Sequence, residues 1–116
     1  MTSPPRTLRI GQSADPDDAF MAWALPEVLA ERDLGCELIF DDIETLNRMA
    51  LAGDLDLAAI SVGAYPELAD RYRMLRCGAS FGDDYGPVVV AREPSASTGA
   101  ESLRGLRVAI PGLHTT

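Results

Sequence analysis

Asp15, Asp17 and Asp18 crowd a single turn just ahead of an apolar run. Carboxylates so close together could hold a metal or work as an acid and a base. Carboxylates before a helix also accept its free N–H groups and favour its positive end. No fixed ligand set for Mg²⁺ or Ca²⁺ surrounds them, so capping is the simpler reading, with a cleft-lining role for Ser13, Asp17 and Asp18 second and a metal last. Ser61 closes another apolar run. Its hydroxyl and the nearby backbone can hold a carboxylate or hydroxyl of a ligand, or it can bond its own backbone as a turn serine. No Gly-x-Ser-x-Gly elbow surrounds it, which argues against a nucleophile. Thr115 and Thr116 follow Gly112. Free N–H groups at a helix start bind anions, although simple capping is the plainer role, and the Gly-Lys-Ser/Thr ending of a phosphate loop is absent. His114 is the single histidine. A lone loop histidine is more often solvated or structural than catalytic. Cys36 and Cys77 make no metal or redox spacing and read as core thiols.

The elements that must position these residues follow from periodicity. Residues 8–11 read as a first strand, 36–40 as a second, and 55–60, apolar except for Asp56, as a strand buried on both faces. Residues 74–77, 87–91 and 106–110 read as three more strands. Phe20, Ala24 and Val28, with Met21, Leu25 and Leu29, recur at helical spacing, but Pro26 interrupts them. The expectation is a helix to about Leu25 and a fresh turn opening at Pro26. Asp41 and Asp42 cap a second helix whose apolar face is Ile43, Leu46, Ala50 and Leu51, stopped at Gly53. Tyr65, Leu68, Ala69 and Tyr72 mark a third. Strand and helix alternate with short connections, which predicts an α/β fold on a mostly parallel sheet. Ligands of such sheets bind beyond the carboxyl ends of the strands, at the loops 13–18, 61–64 and 111–116.

Composition narrows the classes. The chain has 116 residues, 47% of them hydrophobic, with a net charge of −8. A single domain of that size can bury roughly 60–70% of its unfolded surface. The acidic balance argues against nucleic acid or an anionic membrane as partner, because phosphates need a basic footprint. No run approaches the ~18 apolar residues of a membrane helix, and the first seven residues lack the apolar stretch of an export signal. A cytoplasmic location with reduced cysteines is the expectation. The strand expected at 106–110 has no crossover helix after it to cover its apolar face, which suggests the front of a longer protein.

Six segments, taken in order, resemble one family. They are Ile10-Gly11-Gln12-Ser13-Ala14-Asp15-Pro16-Asp17-Asp18-Ala19-Phe20-Met21, then Asp42-Ile43-Glu44-Thr45-Leu46-Asn47-Arg48, then Ile60-Ser61-Val62-Gly63-Ala64-Tyr65-Pro66. Cys77-Gly78-Ala79-Ser80, Gly82-Asp83-Asp84-Tyr85-Gly86-Pro87 and Val108-Ala109-Ile110-Pro111-Gly112-Leu113-His114-Thr115-Thr116 complete them. Each is weak alone; all six in register are specific. The resemblance is to the 1,4-dihydroxy-6-naphthoate synthase family of the futalosine route to menaquinone.

That resemblance implies a two-lobed, periplasmic-binding-protein-like (type II) fold. Residues 1–95 would be the front of lobe one, 96–102 the crossing, and 103–116 the start of lobe two. It implies a lyase that cleaves cyclic dehypoxanthine futalosine to 1,4-dihydroxy-6-naphthoate, with a small-molecule substrate and no metal or other cofactor. Carried over by motif, substrate contacts fall on Ala59, Ile60, Ser61, Thr115 and Thr116. The family's catalytic histidine lies beyond the Thr-Thr motif, and His114 holds a variable position, so no catalytic residue is assigned here and the isolated chain is expected to be inactive. Gly63 stands where many relatives carry a larger residue. The sister chorismate dehydratase is the enzymatic alternative, but its usual Arg-Ile-x-Tyr-Leu-Asn opening is not matched by Asp15-Pro16-Asp17-Asp18-Ala19-Phe20. A non-enzymatic carboxylate-binding protein is the other, and a non-catalytic remnant that recruits another chain through an exposed edge is a structural one.

Overall fold

The computed structural model describes residues 6–84, 86, 88–92 and 99–115. Its centre is a three-stranded parallel sheet in the order β2-β1-β3, built from β1 (Thr7–Gln12), β2 (Gly35–Phe40) and β3 (Leu57–Ala58). The ladder pairs Thr7 with Gly35 through to Gln12 with Phe40 on one side, and Ile10 with Leu57 on the other. The parallel α/β reading therefore holds. β3 is shorter than the run 55–60 suggested, although Asp56 N–H to the Arg9 carbonyl and Ala59 N–H to the Gly11 carbonyl, both 2.9 Å, continue its pairing at either end.

Helices α1 (Pro16–Ala22) and α2 (Leu25–Ala30) replace the single interrupted pattern. The break comes earlier than expected, at Trp23 and Ala24. The reason is local: Pro26 has no N–H to give the Ala22 carbonyl, and its ring crowds that same carbonyl. Helix α1 therefore ends where the proline's missing partner lies. α1 packs on β1 and α2 on β2, while α3 (Ile43–Ala52) packs on β1 and β3. The Asp42 carboxylate accepts the Thr45 N–H (3.0 Å) and the Thr45 hydroxyl (2.7 Å), and Gly53, at φ 83°, closes α3 as a left-handed residue. A short 3₁₀ turn, Val62–Ala64, leads into α4 (Tyr65–Leu68), which packs on α3.

The core lies between β1, α3 and α4. Ile10, Leu46, Ala50, Leu55, Ala64 and Leu68 are all buried. Gly11 is needed there. A Cβ on it would stand 2.8 Å from side-chain carbons of both Leu46 and Leu55, closer than packed atoms sit.

Among the described residues, three expected strands do not form. Residues 74–77 and 106–110 carry no ladder, nor do 88–91; Pro87, the first residue of its expected strand, lies outside the described residues. A strand exists only beside another strand. The runs are largely apolar, but among the described residues no neighbour pairs with them. Val88, Val89 and Val90 are 81%, 65% and 87% exposed instead. Of the expected crossing 96–102, residues 96–98 lie outside the description, and Ala100–Leu103 makes one 3₁₀ turn.

Candidate functional site

The carboxyl ends of β1, β2 and β3 open on one side of the sheet, and the loops that leave them supply the site. In the β2-β1-β3 order β1 is the central strand, so the loop that leaves it lies between those that leave β2 and β3.

The loop after β1 is set by Ser13, which bonds Asp18 and Asp15. The Ser13 N–H donates to the Asp18 carboxylate (2.9 Å), and the Ser13 hydroxyl accepts the Asp15 N–H (3.2 Å). Asp15 occupies the cap position of α1, yet its carboxylate makes no capping bond. The helix capping expected of Asp15 does not form; Asp18 instead reaches back to the Ser13 N–H, outside the helix, and closes the loop. Ser13 and Asp18 are 5% and 8% exposed, and so are spent on the loop's shape. Asp17 is exposed, and hydrogen bonds from the Ser80 hydroxyl and then the Asp18 N–H hold its carboxyl below the usual carboxylate range. The described residues place no group of three or more His, Cys, Asp or Glu side chains where a metal ion could be held. Gln12, at the end of β1, keeps a buried Oε1 with no hydrogen-bond partner among the described residues.

After β3 the chain passes Ala59 and Ile60 to Ser61, which is 7% exposed. Asn47 of α3, fully buried, meets it twice. Asn47 Oδ1 accepts the Ser61 N–H (3.1 Å), and Asn47 Nδ2 donates to the Ser61 hydroxyl oxygen (3.3 Å). The second bond uses an acceptor lone pair of the hydroxyl, so its proton remains to be donated. Asn47 Nδ2 also donates to the His114 carbonyl (2.9 Å). One amide thus ties the Ser61 loop to residues 112–115. A buried amide that satisfies several backbone groups stiffens the place where it sits.

Glu44, one turn earlier on the same face of α3, takes the other backbone group of His114. Its Oε2 accepts the His114 N–H (2.9 Å), and its Oε1 lies 2.9 Å from the imidazole Nδ1. These bonds, the ring contact first, hold the Glu44 carboxyl below its ordinary value. Gly112 rests against the same carboxylate with no room for a Cβ.

Beside this junction lies an open cleft of about 590 Å³, within the range of small-molecule sites. Ala14 and Asp15 line it from the β1 loop, Phe40, Asp41 and Asp42 from the end of β2, Ile43 and Glu44 from α3, and Pro111 and Thr115 from the last segment. Of the residues singled out from sequence, Asp15 and Thr115 stand on the cleft wall; Ser13, Asp17, Asp18, Ala59, Ile60 and Ser61 are not in its lining, and Thr116 lies outside the described residues. The structure brings together the Ser61 loop and the Thr115 turn, 54 positions apart in sequence. It does so through Asn47 and Glu44, to which sequence reasoning gave no role. The only available signal was their spacing: three residues apart on a helix puts both on one face.

The chain is 46% identical over 109 residues to a 1,4-dihydroxy-6-naphthoate synthase of Thermus thermophilus, covering 94% of this chain and 38% of that one. It is 34% identical over 110 residues to a protein of the same name from Streptomyces coelicolor, covering 95% of this chain and 37% of that one. The chain therefore spans less than half the length of these relatives. A crystal structure of a protein from Archaeoglobus fulgidus superposes with a TM-score of 0.60 at 44% identity, over 75% of this chain and 33% of the other. The family of menaquinone biosynthesis proteins matches residues 8–116. On that match, which takes in every loop of the site just described, the chain belongs to the menaquinone biosynthesis family.

Proposed function

We propose that these residues form one wall of the substrate cleft of a 1,4-dihydroxy-6-naphthoate synthase, a lyase that acts on cyclic dehypoxanthine futalosine. The single observation that carries this reading is the junction at Asn47, where the Ser61 loop and the Thr115 turn meet at the carboxyl end of the sheet. Two relatives bear that enzyme's name and align over 94% and 95% of this chain. In this reading Ala59, Ile60, Ser61, Thr115 and Thr116 contact substrate. The Ser61 hydroxyl, oriented by Asn47, donates to a substrate oxygen. The carboxylates of Asp15, Asp41, Asp42 and Glu44 make this wall acidic, so they suit substrate hydroxyls, and a substrate carboxylate finds its donors at Ser61 and the Thr115 turn.

The architecture we infer for the complete enzyme is periplasmic-binding-protein-like, with residues 1–95 in the first lobe, 96–102 crossing, and 103–116 opening the second. Proton abstraction falls to a histidine outside these residues, and substrate is enclosed between the lobes in the cytoplasm. The isolated chain then has no turnover, because base and opposite wall are missing.

A chimera tests this. Residues 8–116 replace the aligned front of the Thermus thermophilus relative. The folded chimera is expected to release 1,4-dihydroxy-6-naphthoate from cyclic dehypoxanthine futalosine, while residues 1–116 alone release none. A folded chimera without product overturns the reading, and product from the isolated chain overturns its inactivity.

A further inference from the structure

Glu44 carries more contacts than its place in α3 requires. The helix dipole accounts for a carboxylate in the first turn of α3. It does not account for a side chain only 13% exposed that engages a residue 70 positions away by both oxygens. Glu44 holds the His114 N–H, and Asn47 holds the His114 carbonyl. Both polar backbone groups of one residue are thus gripped by two side chains from one helix face. Gly112 sits tight against the same carboxylate, and Pro111 and Thr115 on either side of the gripped residue line the cleft.

We propose that Glu44 is a positioning residue for the cleft. Its carboxylate fastens residues 112–115 to α3, sets Thr115 on the wall, and commits the His114 imidazole to the tautomer protonated at Nδ1. An ionised carboxylate can only accept, so a 2.9 Å contact with Nδ1 requires the proton on that nitrogen, and Nε2 becomes the ring's acceptor. The charged neighbours are Arg48 of α3, whose Nε lies 3.9 Å from Glu44 Oε1, and Asp15, Asp41 and Asp42 around the cleft. The His114 ring and N–H favour the ionised carboxylate. That Thr115 touches substrate rests on the function proposed above; the grip of Glu44 on the turn does not.

His114 is the single histidine, so nitrogen-15 spectra of the chain report one ring. At about pH 8, above the usual imidazole range, the ring is expected to show the Nδ1–H pattern, with a slowly exchanging His114 amide. In Glu44→Ala the ring moves to the Nε2–H pattern, and the amide exchanges roughly tenfold faster or more. Glu44→Gln keeps the volume and one acceptor oxygen, so it loses one of the two signatures, and it serves if the alanine variant does not fold. A ring already in the Nε2–H form in the unaltered chain, or both signatures unchanged in the folded variants, overturns the proposal. The spectra need no substrate, so their outcome is independent of whether the chimera turns over.

Discussion

Asn47 is the residue on which the geometry turns. It is fully buried and makes three hydrogen bonds, two to Ser61 and one to the His114 carbonyl. Its replacement by leucine, similar in size, strands the buried Ser61 N–H and the His114 carbonyl without a partner. A group left in that state costs its desolvation, about 1–3 kcal/mol. Asn47→Leu is therefore expected to lower the urea-derived stability by at least that amount with an unchanged m-value. A midpoint equal to that of the unaltered chain would show that water replaces the amide. Asn47 stood inside a recognised motif, yet its type said nothing of its partners. An asparagine on a helix face is ordinarily solvated, and only the fold reveals that β3 and the last segment close over this one.

At the scale of elements, local signals were reliable where they were chemical and unreliable where they needed a neighbour. Pro26 announced a break, and Asp42 and Gly53 announced the ends of α3, because each acts within one turn of chain. The packing of the last turn onto α3 could not be announced, since it depends on contact across about 70 positions. That packing has a pH dependence. The Glu44 carboxyl holds its proton less readily when folded than at its ordinary value of 4.5, because the His114 ring and N–H bond the ionised form. The unfolded chain therefore binds more protons in the acid window, and the stabilisation is complete above 4.5 and lost as pH falls through the lower folded value. Asp42 and Asp56 are lowered too, by Thr45 and by Arg9 with Arg6, so the acid loss is shared. Urea midpoints between neutral and acid pH are expected to fall less steeply in Glu44→Gln than in the unaltered chain. Equal slopes would place the acid sensitivity elsewhere.

Across the whole molecule, apolar surface is unevenly disposed. The radius of gyration is 18.3 Å, against about 13 Å for a compact domain of this size. Val88, Val90, Leu106 and Ile110 are each at least 60% exposed. Exposed apolar surface of that extent binds environment-sensitive dyes. Val108→Asp with Ile110→Asp is expected to leave stability within about 0.5 kcal/mol, because neither side chain is in the core, and to lower the fluorescence of a bound apolar dye. A large loss of stability would instead mean that this run packs against the sheet. No helix among the described residues is long and apolar enough to cross a membrane.

The order of six short motifs, the alternation of strand and helix, and the capping chemistry belong to the sequence by itself, because each depends on residues a few positions apart. From these came the parallel α/β arrangement, the family, and Ser61 and Thr115 as residues to watch. Tertiary structure alone decided that three of the expected strands stay unpaired among the described residues, that Asp15 leaves α1 without a side-chain cap while Asp18 bonds the Ser13 N–H, and that Asn47 and Glu44 join loops far apart in the chain. The physical reason is one of range. Capping and periodicity act through neighbouring peptide units, whereas strand pairing and buried side-chain bonds exist only when a distant partner arrives.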